Sequence, residues 1–155
     1  MNFLVISFSV ITLFLAGCNK VEKVDKESSM HIFGSMATQN KTDLKLNRVS
    51  VIMDGQAIDF GVLIPGTTAT MGFGDFELGK ELKVVWIENF SSDNPTKGEA
   101  FFDSSKLSEI AKDIQEIEFV YIGEKKWTLR AYKAPHRNDK DLIKEIDSVG
   151  NEIIK

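Results

Sequence analysis

Hydrophobic and polar positions divide this chain into three stretches. Residues 1–17 hold 12 apolar residues and no charge, with a run from Phe3 to Leu15. That run has the length of the apolar segment of an export signal and is short for a membrane span. Residues 19–40 are polar without a sustained apolar period, which reads as a tether. From Leu44 onward the dominant period is two, the signature of half-buried strands. Val49, Val51 and Met53 alternate up to Asp54-Gly55, and Ile58, Phe60, Val62 and Ile64 alternate away to Pro65-Gly66, so a β-hairpin is predicted. Leu44 and Leu46 are out of phase with Val49 and Val51, which places a bulge near Asn47-Arg48.

Ala69, Met71 and Phe73 predict a further strand. Leu82 to Ile87 is apolar on both faces, as a central strand is. Asn89 to Lys97 holds Ser91-Ser92-Asp93-Asn94-Pro95 and reads as a loop. A short strand follows over 99–102. Asp103-Ser104-Ser105 then offers a cap to an amphipathic helix, with Leu107, Ile110, Ala111 and Ile114 at i, i+3, i+4 and i+7. Ile117, Phe119 and Tyr121, then Trp127, Leu129 and Ala131 across Gly123-Glu124, predict a second hairpin. After Pro135, Leu142, Ile146, Val149 and Ile153 suggest a C-terminal helix or charged tail. The expected fold is mainly β, a small antiparallel sandwich with one short helix. The expected divisions are 1–17 signal peptide, 18–40 tether, 41–134 sandwich and 135–155 tail.

Composition narrows the function. The chain has 155 residues and a formal net charge of −4, which disfavours nucleic-acid binding, since that needs a dense basic face. One Cys and two His leave no disulfide framework and little for a metal centre. Gly74-Asp75-Phe76-Glu77-Leu78-Gly79-Lys80-Glu81 fits a phosphate loop except at its last position, where Glu81 replaces the magnesium-binding hydroxyl. Strand-like residues follow where a helix is required, so no nucleotide is expected. His31 and His136 lack metal-like helical spacing, and no Gly-x-Ser-x-Gly elbow occurs. The acidic pairs Asp75/Glu77 and Glu116/Glu118 lie at i, i+2, which on a strand reads as a solvated face. Trp86 and Trp127 read as core anchors. The chain is expected not to be an enzyme. Phe90, with Ser91, Ser92, Asp93 and Asn94, is the candidate partner-binding loop.

Leu15-Ala16-Gly17-Cys18 closely resembles the lipobox of bacterial lipoproteins, where the Cys becomes an acylated N-terminus. Small residues let an extended backbone enter a peptidase cleft, and a thiol can be converted to a diacylglyceryl thioether. The resemblance implies signal-peptidase recognition at Leu15, Ala16 and Gly17. It also implies covalent diacylglyceryl and N-acyl lipid on Cys18, with no other cofactor, and a membrane contact through that anchor. The first residues Met1-Asn2 depart from the pattern in carrying no Lys or Arg. By the same resemblance, Asn19 points to the outer membrane of a Gram-negative bacterium, with the domain facing the periplasm.

The stretches Val49-Ser50-Val51-Ile52-Met53-Asp54-Gly55, Phe60 to Ala69 and Leu82-Lys83-Val84-Val85-Trp86 look like small proteobacterial lipoproteins with an immunoglobulin- or transthyretin-like sandwich. Some of these are immunity proteins to type VI secreted phospholipases. The resemblance implies capture of a protein partner, a secreted lipase effector. An envelope-assembly lipoprotein is the alternative, and neighbouring genes would separate the two.

Overall fold

A computed structural model describes residues 30–88, 90, 95–135 and 137–154. Ten strands run in chain order: β1 Met30–Asn40, β2 Leu46–Met53, β3 Gln56–Leu63, β4 Thr68–Leu78, β5 Glu81–Glu88, β6 Thr96–Asp103, β7 Glu116–Gly123, β8 Lys126–Tyr132, β9 Leu142–Asp147 and β10 Val149–Ile154. They form two five-stranded sheets, β4-β1-β7-β8-β9 and β10-β6-β5-β2-β3. Neighbours pair antiparallel except β1 and β7, which run parallel. The fold is a mainly β two-sheet sandwich, as the alternation predicts.

The predicted hairpin is β2–β3. Asp54 and Gly55 both take positive φ, 46° and 81°, the two-residue turn that matches strand twist. Val49, Val51 and Met53 are buried, and the register slips between Leu46 and Ser50, where Arg48 has φ 48° and Gly61 faces Val49 at φ 73°. The bulge expected near Asn47-Arg48 is therefore present. Between the sheets, Phe102 of β6 meets Phe119 of β7 edge-on at 5.4 Å. Trp86 of β5 packs against Tyr121 at 5.9 Å and Trp127 at 5.5 Å. Trp86 also covers Gly98, its cross-strand partner, where an added Cβ would come within 2.3 Å of the indole. Both tryptophans are core, as expected.

Three expectations are corrected. Residues 30–40 are not tether: β1 sits between β4 and β7, with Ile32, Met36, Ala37, Thr38 and Asn40 all buried. The tail expected beyond 135 supplies β9 and β10, which pair with β8 and β6 and flank one sheet each. The sandwich thus extends past both ends of the expected 41–134. The amphipathic helix is replaced by two short 3-10 turns, Ser104–Leu107 and Ala111–Asp113. Its polar residues bond the backbone locally: Asp103 accepts from Ser105 N–H at 3.1 Å, and Ser108 Oγ donates to the Ser105 carbonyl at 2.7 Å. Such bonds compete with an α-helical ladder. Leu107 and Ile114 still reach the core.

Candidate binding surfaces

The first candidate site lies on the outer face of the β1–β7–β8 sheet. Register places Ser35 beside Glu116 and Ala37 beside Glu118, with Tyr132 and Arg130 completing the two rows on β8. The acidic pair is not the solvated face its spacing suggests, since Glu116 is 0% and Glu118 2% exposed. The cover includes Arg137, from the link between β8 and β9. Its Lys133 N–H donates to the Asp141 carbonyl at 3.0 Å, and the Asn138 side chain accepts from Lys140 N–H at 3.3 Å. Arg137, held at φ 46°, places Nε 2.5 Å from Glu116 Oε1 and Nη1 3.7 Å from Glu118 Oε1. Its Nη2 donates to Thr70 Oγ1 of β4 at 2.7 Å. One guanidinium therefore ties the strap to two strands, and the buried carboxylates supply the charge that holds it. A polar recess of about 480 Å³ remains beside it, lined by Lys41, Glu118, Arg130, Tyr132 and Asp139 among others.

Tyr132 donates to Glu118 Oε2 at 3.1 Å, and its pKa is pushed up to about 12 by burial and by that carboxylate. Tyr121, which donates to Glu88 Oε1 at 2.7 Å, is also raised by burial and by its acidic partner. Unfolded tyrosines ionise near 10. Above that pH the unfolded chain gives up protons that the folded chain keeps, so stability present below pH 10 is lost as pH rises toward 12. Urea melts at pH 8 and pH 11 should differ by about 1 kcal/mol for each tyrosine. These are the chain's only two tyrosines, so tyrosinate absorbance reads both directly. Ionisation in the native protein at pH 10 would refute the assignment.

The second candidate lies at the end where β1 begins. A groove of about 950 Å³ runs between β1 and the 111–115 segment, lined by His31, Phe33, Gly72, Asp75, Ile114 and Pro135 among others. Phe33 is 74% exposed there. Gly34 is required beneath it, because a Cβ would come within 2.0 Å of the Gln115 carbonyl oxygen, which accepts from Ser35 N–H at 2.9 Å. His31 Nδ1 lies 3.3 Å from Asp75 Oδ1, both side chains being largely exposed. Sequence reasoning missed this groove because it placed Phe33 in the tether. The apolar pair Ile32-Phe33, in a run His31-Ile32-Phe33 that reads as a contact with the fold, followed by Gly34, was the available signal.

The third candidate is the opposite end, where the links between β1 and β2, β3 and β4, and β7 and β8 gather. Buried Asn40 joins the first two: its Nδ2 donates to the Leu44 carbonyl at 2.6 Å and the Leu63 carbonyl at 3.3 Å, and its Oδ1 accepts from Thr42 N–H at 3.0 Å. Lys41 N–H donates to the Tyr121 carbonyl at 3.0 Å. Phe90 is exposed at this end, with the Arg48 guanidinium 5.2 Å above its ring. Of the predicted partner loop only Phe90 is described. Ser91, Ser92, Asp93 and Asn94 lie outside the described residues, as do His136 and the whole of Leu15, Ala16, Gly17 and Cys18.

The phosphate-loop-like string is a strand, a turn and a strand: Gly74 to Leu78 belong to β4, and Gly79-Lys80 lead directly into β5. A Cβ at Gly79 would displace the Asp54 carboxylate, whose Oδ1 accepts from Glu81 N–H at 2.9 Å. Among the described residues, no group of three or more His, Cys, Asp or Glu side chains is placed to hold a metal ion. No described helix is long and apolar enough to cross a membrane. No protein family, curated protein or solved structure matches the chain.

Proposed function

We propose that this protein is a lipid-anchored lipoprotein of the outer membrane whose periplasmic sandwich captures a protein partner, and that the partner is a secreted phospholipase-type toxin to which it confers immunity. In this reading Cys18 carries the diacylglyceryl and N-acyl lipid, Leu15, Ala16 and Gly17 direct signal-peptidase cleavage, and the sandwich is of the immunoglobulin- or transthyretin-like kind. The observation that carries the reading is the exposed Phe33 beside the 950 Å³ groove at the end where β1 begins. Exposed aromatics in concave settings are frequent anchors of protein recognition. Eleven residues lie between Cys18 and Met30, so the lipid keeps the domain, and any partner seated on it, within reach of the membrane on which a lipase works. We therefore favour the groove over the Phe90 to Asn94 loop as the partner contact.

The test is a competition assay. A strain lacking the gene is challenged by siblings with an active secretion system, then complemented with wild type, Cys18→Ala or Phe33→Ser. Killing of the deletion strain and rescue by wild type are expected. Cys18→Ala should lose palmitate labelling and membrane retention, and Phe33→Ser should rescue at least tenfold less well. Undiminished survival of the deletion strain would end the immunity reading in favour of the envelope-assembly alternative, and continued labelling of Cys18→Ala would refute the anchor.

A further inference from the structure

The two ends of the sandwich differ in charge. Around the turns at the β1 start, the described residues include seven carboxylates, Asp54, Asp75, Glu77, Glu81, Asp103, Glu109 and Asp113, against Lys80, Lys106 and Lys112. At the opposite end the balance reverses. Among the described residues, Lys41, Lys45, Arg48, Lys97, Lys125 and Lys126 stand against Asp43, Glu88, Glu124 and Asp147. Within a chain of net charge −4, this end thus carries a local excess of cations among the described residues. The same end carries Leu44, Ile64, Phe90 and Ile122, each 46% to 52% exposed. They project from turns and strand ends held together by Asn40 and by the Lys41 bond to Tyr121.

From this combination we infer that the Asn40 end of the sandwich docks on the surface of an anionic phospholipid bilayer. Apolar side chains at loop tips can enter the headgroup boundary, while surrounding Lys and Arg meet lipid phosphates. Lysine decides between this and a protein partner. Protein interfaces are depleted in Lys at their cores, whereas five of the six cations here are lysines with long stems that can extend toward headgroups. The overall negative charge excludes a diffuse attraction, so binding to an anionic surface must come from the cationic end. The inference does not depend on the lipid anchor, but it is compatible with one. The ten steps of β1 measure about 33 Å, and the twelve steps from Cys18 to Met30 reach at most about 43 Å, so Cys18 and the docking end can engage one bilayer together.

The test is co-sedimentation of the unacylated chain from Asn19 to Lys155, which retains every strand, with two kinds of vesicle. One is pure phosphatidylcholine and the other contains 40% phosphatidylglycerol. Binding should be at least tenfold stronger to the anionic vesicles and should be lost at 0.5 M salt, where screening is nearly complete. Removing two cations as Lys45→Gln and Lys97→Gln should weaken it about 25-fold, at roughly fivefold per charge. The pair Ile64→Ser and Phe90→Ser should weaken it at least tenfold, while Phe33→Ser at the other end should leave it unchanged. Equal binding to both vesicles, or no binding to either, would overturn the inference without touching the competition assay. So would variants of this end that keep vesicle binding but lose protection in that assay, because the end would then be a protein interface. The salt dependence is read on the unmodified sequence, so it stands even if a variant misfolds.

Discussion

Trp86→Ala should lower the unfolding free energy by about 3 to 5 kcal/mol in urea melts. Trp86 is 2% exposed and comes from the β5 sheet, whereas its partners Tyr121 and Trp127 come from the β7–β8 hairpin of the other sheet and lie 5.2 Å apart. The ring therefore joins the two layers. Its loss leaves a cavity over Gly98, which has no side chain with which to fill it. The indole N–H also donates to Glu88 Oε1 at 3.0 Å, the oxygen that accepts from Tyr121, so truncation removes a bond from a carboxylate at the core margin. Trp86→Phe keeps most of the volume but not that bond, and should cost less than half as much. A loss below 1 kcal/mol for the alanine variant would mean that the sheets are not joined through this ring.

Arg137→Met should cost about 3 kcal/mol, the lower part of the range for removing one member of a buried ion pair. The lower part applies because the guanidinium is 27% exposed, whereas the Glu116 and Glu118 side chains are 1% and 3% exposed. Methionine keeps much of the aliphatic stem, so the change isolates the charge. The strap 133–141 should also loosen, and limited proteolysis between Lys133 and Asp141 should accelerate before global unfolding. Adding Glu116→Gln to Arg137→Met should recover part of the stability, because one fewer buried carboxylate then lacks that cation. A loss under 1 kcal/mol with no change in cleavage would show that water serves the carboxylates as well as Arg137 does.

The β2–β3 hairpin was legible because one face is core and the turn carries its own chemistry at Asp54-Gly55. β1 was not, because its outer face is made of small and polar residues, Ser35, Ala37 and Gln39, so no apolar alternation marks it. The burial of Glu116 and Glu118 could not be read either. Spacing along β7 records which residues share a face, but the cover comes from Arg137, nineteen residues beyond Glu118. In the last segment, Leu142 and Ile146 are four apart, which suits one face of a helix and equally one face of a strand. Pairing with β8 decides for the strand. The groove beside Phe33 was hidden for a related reason, since it forms only when residues 111–115 press on Gly34.

The position of β1 has a mechanical consequence for a domain held by its N-terminal side. A pull applied at Met30 enters the body at the start of a strand bonded to β4 along one edge and to β7 along the other. The pull runs along the strand, across hydrogen bonds that lie roughly transverse to it, so many bonds on both edges are sheared together rather than peeled one at a time. Had Met30 begun an edge strand at its free margin, the same pull could unzip the domain stepwise. Here the pull loads an interior strand, so the domain should resist extraction in single-molecule pulling from Met30 better than when pulled from Ile154, at the end of edge strand β10.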